Sequence, residues 1–98
     1  MTNTTQQQRP LFTLGQIFLT PGAEKTLEDA DLSPSDLITR HVHGDWGELP
    51  IEDIYANEEA IENGLRILSR YTTDLGVALY VITEFDRSIT TILLSAEY

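Results

Sequence analysis

Two histidines, an aspartate and a glutamate are the side chains of this chain best suited to acid–base or metal chemistry. His41, His43 and Asp45 fall inside one short stretch, His41-Val42-His43-Gly44-Asp45-Trp46-Gly47-Glu48, which also holds the only tryptophan. Imidazoles and carboxylates bind zinc or manganese when they converge. Here the two histidines straddle a helix end, where positions i and i+2 do not share a face, and no second histidine pair exists. The chain has no cysteine, which excludes thiolate zinc sites, cysteine nucleophiles and disulfides. We assign no metal site and no cofactor.

A second chemistry needs an imidazole and a carboxylate brought together by the elements that carry them. Ser33 caps a helix, Pro34 opens it and Gly44 ends it. On a wheel of that helix, His41 falls between Leu37, Ile38 and Val42. Pro50 opens a longer helix over about Ile51 to Asn63, stopped by Gly64. There Ile51, Ile54, Tyr55 and Ile61 form one stripe, with Glu58 in its middle and Glu62 at its edge. Two titratable groups are thus expected to point inward from the helices that flank the loop. A buried charge is costly unless paired. His41 is therefore expected to be satisfied by Glu58, by loop amides or by Asp45. A carboxylate partner would raise the His41 pKa on folding, so its stabilisation would be present at low pH and lost as pH climbs through the raised value. The same trio, His41, Asp45 and Glu58, could instead serve a small hydrolase or ligand-binding enzyme. A structural role is the preferred reading. Trp46 is either a lid packed on the core or an anchor for a partner, and Asp45 can cap its own turn.

The remaining elements follow from periodicity. One strand is expected over about Leu14 to Leu19, closed by Thr20-Pro21-Gly22, then a weak helix carrying Ala23, Leu27 and Ala30. From Leu65 the period alternates, giving strands over 65–72, 77–83 and 88–94 joined by short hairpin turns. The middle strand is apolar on both faces and should be central. Arg66, Arg70, Tyr80, Glu84 and Thr90 would share one sheet face, with cross-strand pairing to Glu84 as the ordinary reading. The Asp86-Arg87-Ser88 group reads as a turn or a small polar site. The order β-α-α-α-β-β-β predicts an α+β fold: a small, mainly antiparallel sheet with helices packed on one face. Residues 1–10 are polar and read as a disordered tail, and residues 11–98 as a single domain.

Charge is the compositional outlier: sixteen acids against six bases give a net charge of −10. Such a field repels phosphate backbones, so direct nucleic-acid binding is not expected. No apolar run reaches the roughly 18 residues of a membrane span, and no leader-like segment opens the chain. A cytoplasmic protein is expected. Six acids and no base lie between Glu48 and Glu62. Glu48, Glu52, Asp53, Glu59 and Glu62, with Trp46, are the candidate partner-binding residues. There is no phosphate-binding glycine loop and no nucleophile elbow, so a non-enzymatic role is preferred. The oligomeric state is left open.

Several segments together resemble a family of small proteins carried on plasmids and integrative elements, some labelled plasmid-related or restriction-associated. They are Leu14-Gly15-Gln16-Ile17 with Thr20-Pro21-Gly22-Ala23, Arg40-His41 with Gly44-Asp45-Trp46-Gly47, and Asn57-Glu58. To these add Arg66-Ile67-Leu68-Ser69 with Tyr71, Ile82-Thr83-Glu84, Asp86-Arg87-Ser88, and Thr90 to Leu94. The resemblance spans Leu14 to Tyr98. Family members carry Ala where this chain has Phe85 and end Pro-Glu-Glu-Tyr where it has Ser95-Ala96-Glu97-Tyr98, and His43 lies outside their pattern. No catalytic residue comes with the resemblance. It implies an accessory protein of a mobile genetic element, and 98 residues leave no room for a methyltransferase or motor domain. The expectation is an acidic interaction protein that occupies a basic protein surface, such as that of a host nucleic-acid-targeting defence protein.

Overall fold

Each helix begins at a proline-marked boundary, as the sequence implies. The computed structural model describes residues 9–98, so the expected tail lies outside the described residues except for Arg9 and Pro10. Strand β1 (Gln16–Leu19) leads into helix α1 (Pro21–Asp29), where the Thr20 hydroxyl accepts from the Ala23 N–H at 3.1 Å. Helix α2 (Pro34–Val42) follows, its Asp36 carboxylate accepting from the Ser33 N–H at 2.8 Å. Helix α3 (Ile51–Asn63) ends at Gly64 in the left-handed conformation (φ 67°), which costs a residue without Cβ little. Then come β2 (Ile67–Thr72), β3 (Ala78–Thr83), β4 (Ile89–Leu94) and a short 3-10 turn over Ser95–Glu97.

The four strands form one sheet in the order β1-β4-β3-β2. β2 and β4 run antiparallel to β3, while β1 runs parallel to β4. The expected α+β architecture is present, with β3 inside the sheet. α1 packs on β1 and β4, α2 on β3, and α3 on β2. The core therefore lies between the helices and one sheet face. Ala23, Leu27, Leu37, Ile38, Tyr71, Leu79, Val81 and Ile92 form its main part, and Trp46, Ala60 and Ile67 a second cluster under α3.

One expectation about the sheet fails. Thr90 pairs with Thr83 on the helix-covered face and is fully buried, rather than joining Arg66, Arg70 and Tyr80. Partners across the β3–β4 hairpin have numbers of opposite parity, such as Tyr80 and Leu93, so an even-numbered residue changes face between those strands.

Candidate functional site

His41 sits at the centre of a chain of buried hydroxyls. Its Nδ1 lies 2.6 Å from the Ser69 hydroxyl and its Nε2 lies 3.0 Å from the Thr83 hydroxyl. Thr83 is 2.7 Å from Thr90, whose hydroxyl donates to the Leu14 carbonyl at 2.7 Å. A carbonyl can only accept, and that sets the direction of the whole chain. Thr90 donates to Leu14, so Thr83 donates to Thr90, and His41 Nε2–H donates to Thr83. Nδ1 is then the acceptor for Ser69. Helix α2 is thereby fixed to β2, β3, β4 and the segment before β1 through one neutral ring. Phe12 and Trp46 meet that ring edge-on, at 5.2 and 6.0 Å between centroids.

This corrects the expected pairing. His41 is buried as expected, but both ring nitrogens are engaged by hydroxyls, and neither Glu58 nor Asp45 is its partner. Burial pushes its pKa down to about 3 instead of up. A ring that is neutral and fully enclosed cannot exchange protons with a substrate in solution. A shallow surface groove lies elsewhere, between α1 and the start of α2, lined by Leu19, Leu27, Leu32 and the acids Glu24 and Asp31.

Asp45 belongs to a separate clasp. It accepts a forked pair from Arg40, Nε at 2.7 Å and Nη2 at 3.2 Å. The hydrogen bond from Arg40 holds its carboxyl below the usual carboxylate range. Arg40 in turn lies over the Tyr71 ring at 4.4 Å, and the Tyr71 hydroxyl donates to the Asp45 carbonyl at 2.6 Å. Burial pushes that hydroxyl up to about 12. Trp46, a candidate anchor for a partner, is instead buried and stacks with Phe12 at 6.3 Å. Its carbonyl accepts from Arg70 N–H at 3.0 Å, and Glu48 N–H donates to Arg70 O at 2.8 Å, so residues 46–48 line the outer edge of β2. Gly47 makes the approach possible: with φ of +76°, a Cβ there would fall 1.9 Å from Arg70 O. The clasp that holds this loop is thus built by Arg40, Asp45 and Tyr71.

Helix α3 is rotated relative to its expected wheel. Asn57 and Ala60 are buried, while Glu58 is exposed and Ile51 and Tyr55 are 61% and 63% exposed. Asn57 explains the rotation. Its amide Nδ2 donates to Leu68 O at 2.6 Å and its Oδ1 accepts from Leu68 N–H at 3.0 Å. An amide carries both a donor and an acceptor, so it completes a strand's outward peptide groups as a neighbouring strand would. A carboxylate at that position could only accept.

The outward face of α3 is consequently acidic with an apolar centre. Glu52, Tyr55, Glu59 and Glu62 follow one another at helical spacing, flanked by Ile51, Asp53 and Glu58, and all seven are exposed. Leu65 and Phe85 add exposed apolar surface beyond the helix end. Arg87 holds both of their carbonyls, at 2.6 and 3.3 Å, together with Ala60 O at 2.9 Å. The Asp86-Arg87-Ser88 group is therefore a turn, closed by Ser88 on the Asp86 carboxylate, from which Arg87 reaches the end of α3. Glu48 is exposed but tied to Thr72 at 2.6 Å and Arg70 at 3.7 Å. Arg66 pairs with Glu84 at 3.4 Å, the expected cross-strand contact. Among the described residues, no group of three or more potential metal ligands gathers, and no helix is long and apolar enough to cross a membrane.

The sequence reading missed Asn57, Ser69, Thr83 and Thr90 as determinants. The signal was present in part: the last three are small hydroxyl residues that alternate with apolar ones on the inward face of their strands. Comparison with protein families, characterised proteins and solved structures finds no match for the chain.

Proposed function

We propose that this chain is a non-enzymatic interaction protein that docks the outer face of α3 on a basic surface of another protein. The observation that carries this is the exposure of Ile51 and Tyr55 among Glu52, Asp53, Glu58, Glu59 and Glu62. Solvated acidity alone needs no apolar side chains in its midst. Large exposed side chains ringed by charge are the composition of an interface centre with a steering rim. The acids are also unevenly placed: α1, α2 and α3 carry Glu24, Glu28, Asp29, Asp36 and the α3 set, whereas no strand carries one. Surfaces that hold nucleic acid are basic, so a host nucleic-acid-targeting defence protein is the partner class proposed. The resemblance to plasmid and integrative-element proteins supports a mobile-element setting, and a cytoplasmic partner would place the protein in the cytoplasm. An enzyme built on His41, Asp45 and Glu58 finds no support, because the three serve separate structural contexts.

The test is affinity capture with the wild type, Tyr55→Ala, and a Glu52→Lys/Asp53→Lys/Glu59→Lys variant, read by quantitative mass spectrometry. A partner with a basic surface should be lost from both variants and released by salt. For the purified pair, Tyr55→Ala should weaken binding by roughly 30-fold, the scale of a hot-spot residue. Identical captures from all three proteins would refute the reading.

A further inference from the structure

We propose that β1 is a self-association edge, at which a second copy of this chain adds by antiparallel pairing about a two-fold axis through Phe18. The sheet has two outer strands, and they are treated differently. On β2 the outward peptide groups are sealed: Leu68 by the Asn57 amide, and Arg70 by Trp46 and Glu48. On β1, Gln16 N–H bonds to Ser88 O and Thr20 N–H to Ile92 O, so the even-numbered residues face β4. Ile17 and Leu19 therefore direct their N–H and C=O groups off the sheet, and nothing among the described residues pairs with them.

That edge also carries no charge to blunt it. Ile17 is 42% and Phe18 48% exposed, on opposite faces. Residues 10–23 contain no charged side chain, in a chain of net charge −10, and neither do the adjoining strands β4 and β3. Natural edges are usually blunted by a charge, a proline or a bulge. Here the charge distribution also selects the occupant. Two copies of so acidic a chain can approach only where acids are missing, and the β1 edge is such a place.

The geometry is self-complementary. A two-fold axis at Phe18 sets Ile17 opposite Leu19 of the second copy, and Leu19 opposite its Ile17. Both become hydrogen-bonded pairs, four bonds in all, and the two Phe18 residues form the closely spaced pair between them. Pro21, at the start of α1, has no N–H and ends the pairing. The product is one continuous eight-stranded sheet. A four-residue strand is a small contact, so the dimer is weak and concentration-dependent.

The experiment is sedimentation equilibrium of the full chain from micromolar to millimolar concentration, at low and high salt. The mass should rise from 11.0 kDa towards twice that, and salt should strengthen association, since it screens repulsion between acidic bodies that meet through an uncharged strip. Ile17→Pro removes an outward N–H without taking a donor from the β1–β4 ladder and should abolish the rise. Amide exchange on the wild type gives a second readout that does not depend on a variant folding: the Ile17 and Leu19 amides should gain protection with concentration, while Phe18 stays protected throughout. A monomer at millimolar concentration overturns the proposal. So does a dimer that survives Ile17→Pro, one weakened by salt, or exchange at Ile17 and Leu19 that ignores concentration.

Discussion

Acidifying this protein should unfold it through one histidine. His41 is fully buried, hydrogen-bonded as a neutral ring, and its pKa is pushed down to about 3 by burial. In the unfolded chain the same group titrates near 6.5. Between those values the unfolded state binds a proton that the folded state does not, so stability falls as pH falls. The sign is therefore opposite to that of a histidine paired with a carboxylate. The full shift corresponds to about 5 kcal/mol, at roughly 1.4 kcal/mol per pH unit, which is comparable with the whole stability of many domains this size. About 2 kcal/mol of it is already lost by pH 5, where most ordinary carboxylates are still ionised. Urea unfolding at several pH values between 8 and 5 reads this out, with Trp46 as the only tryptophan and a buried reporter. His41→Gln lowers the baseline but should flatten the pH dependence, because an amide does not titrate. Equal stability of the wild type at pH 7.5 and pH 5 would refute the reasoning, as would an undiminished slope in His41→Gln.

Other perturbations follow from the same contacts. Asn57→Ala leaves the Leu68 N–H and C=O without their partner and should cost about 2–4 kcal/mol in urea unfolding. Asn57→Asp should do no better, since a carboxylate cannot donate to Leu68 O. Gly47→Ala forces residues 46–48 away from β2 and should lower the melting temperature by several degrees while leaving the exposed face of α3 intact. Glu58→Gln, by contrast, removes an exposed charge and should change stability by less than about 0.5 kcal/mol. A large loss there would mean that the carboxylate faces inward after all.

Much of this fold is legible in the chain because its punctuation is local. Thr20-Pro21, Ser33-Pro34 and Pro50 start the helices, Gly64 stops the last, and the switch from a helical to an alternating period at residue 65 marks the sheet. The inward position of His41 is readable for the same reason, as it lies between Leu37, Ile38 and Val42 on one short helix. The orientation of α3 is not readable in this way. Its apolar stripe is split: Ile54 and Ile61 pack on the core while Ile51 and Tyr55 point to solvent, because the two hydrogen bonds between Asn57 and Leu68 set the rotation of the helix. Those bonds depend on a strand eleven residues further on, whose distance and angle no wheel contains. The partner of His41 is hidden likewise: a periodic pattern shows that an imidazole faces inward but not which groups meet it. Ser69, Thr83 and Thr90 converge on it only through the register of three strands.

The sequence alone determined the order of elements, the acidity and its concentration in the segment that forms α3, and the absence of thiol chemistry. These follow from composition and from spacings of a few residues. Only the tertiary structure decided that His41 is neutral, that Glu58 and Tyr55 face outward, and that one sheet edge is sealed while the other, among the described residues, is unpaired. Each of those depends on which polar groups meet across long separations in the chain. A buried donor or acceptor must find its partner wherever the fold supplies one, whatever its sequence neighbours would prefer.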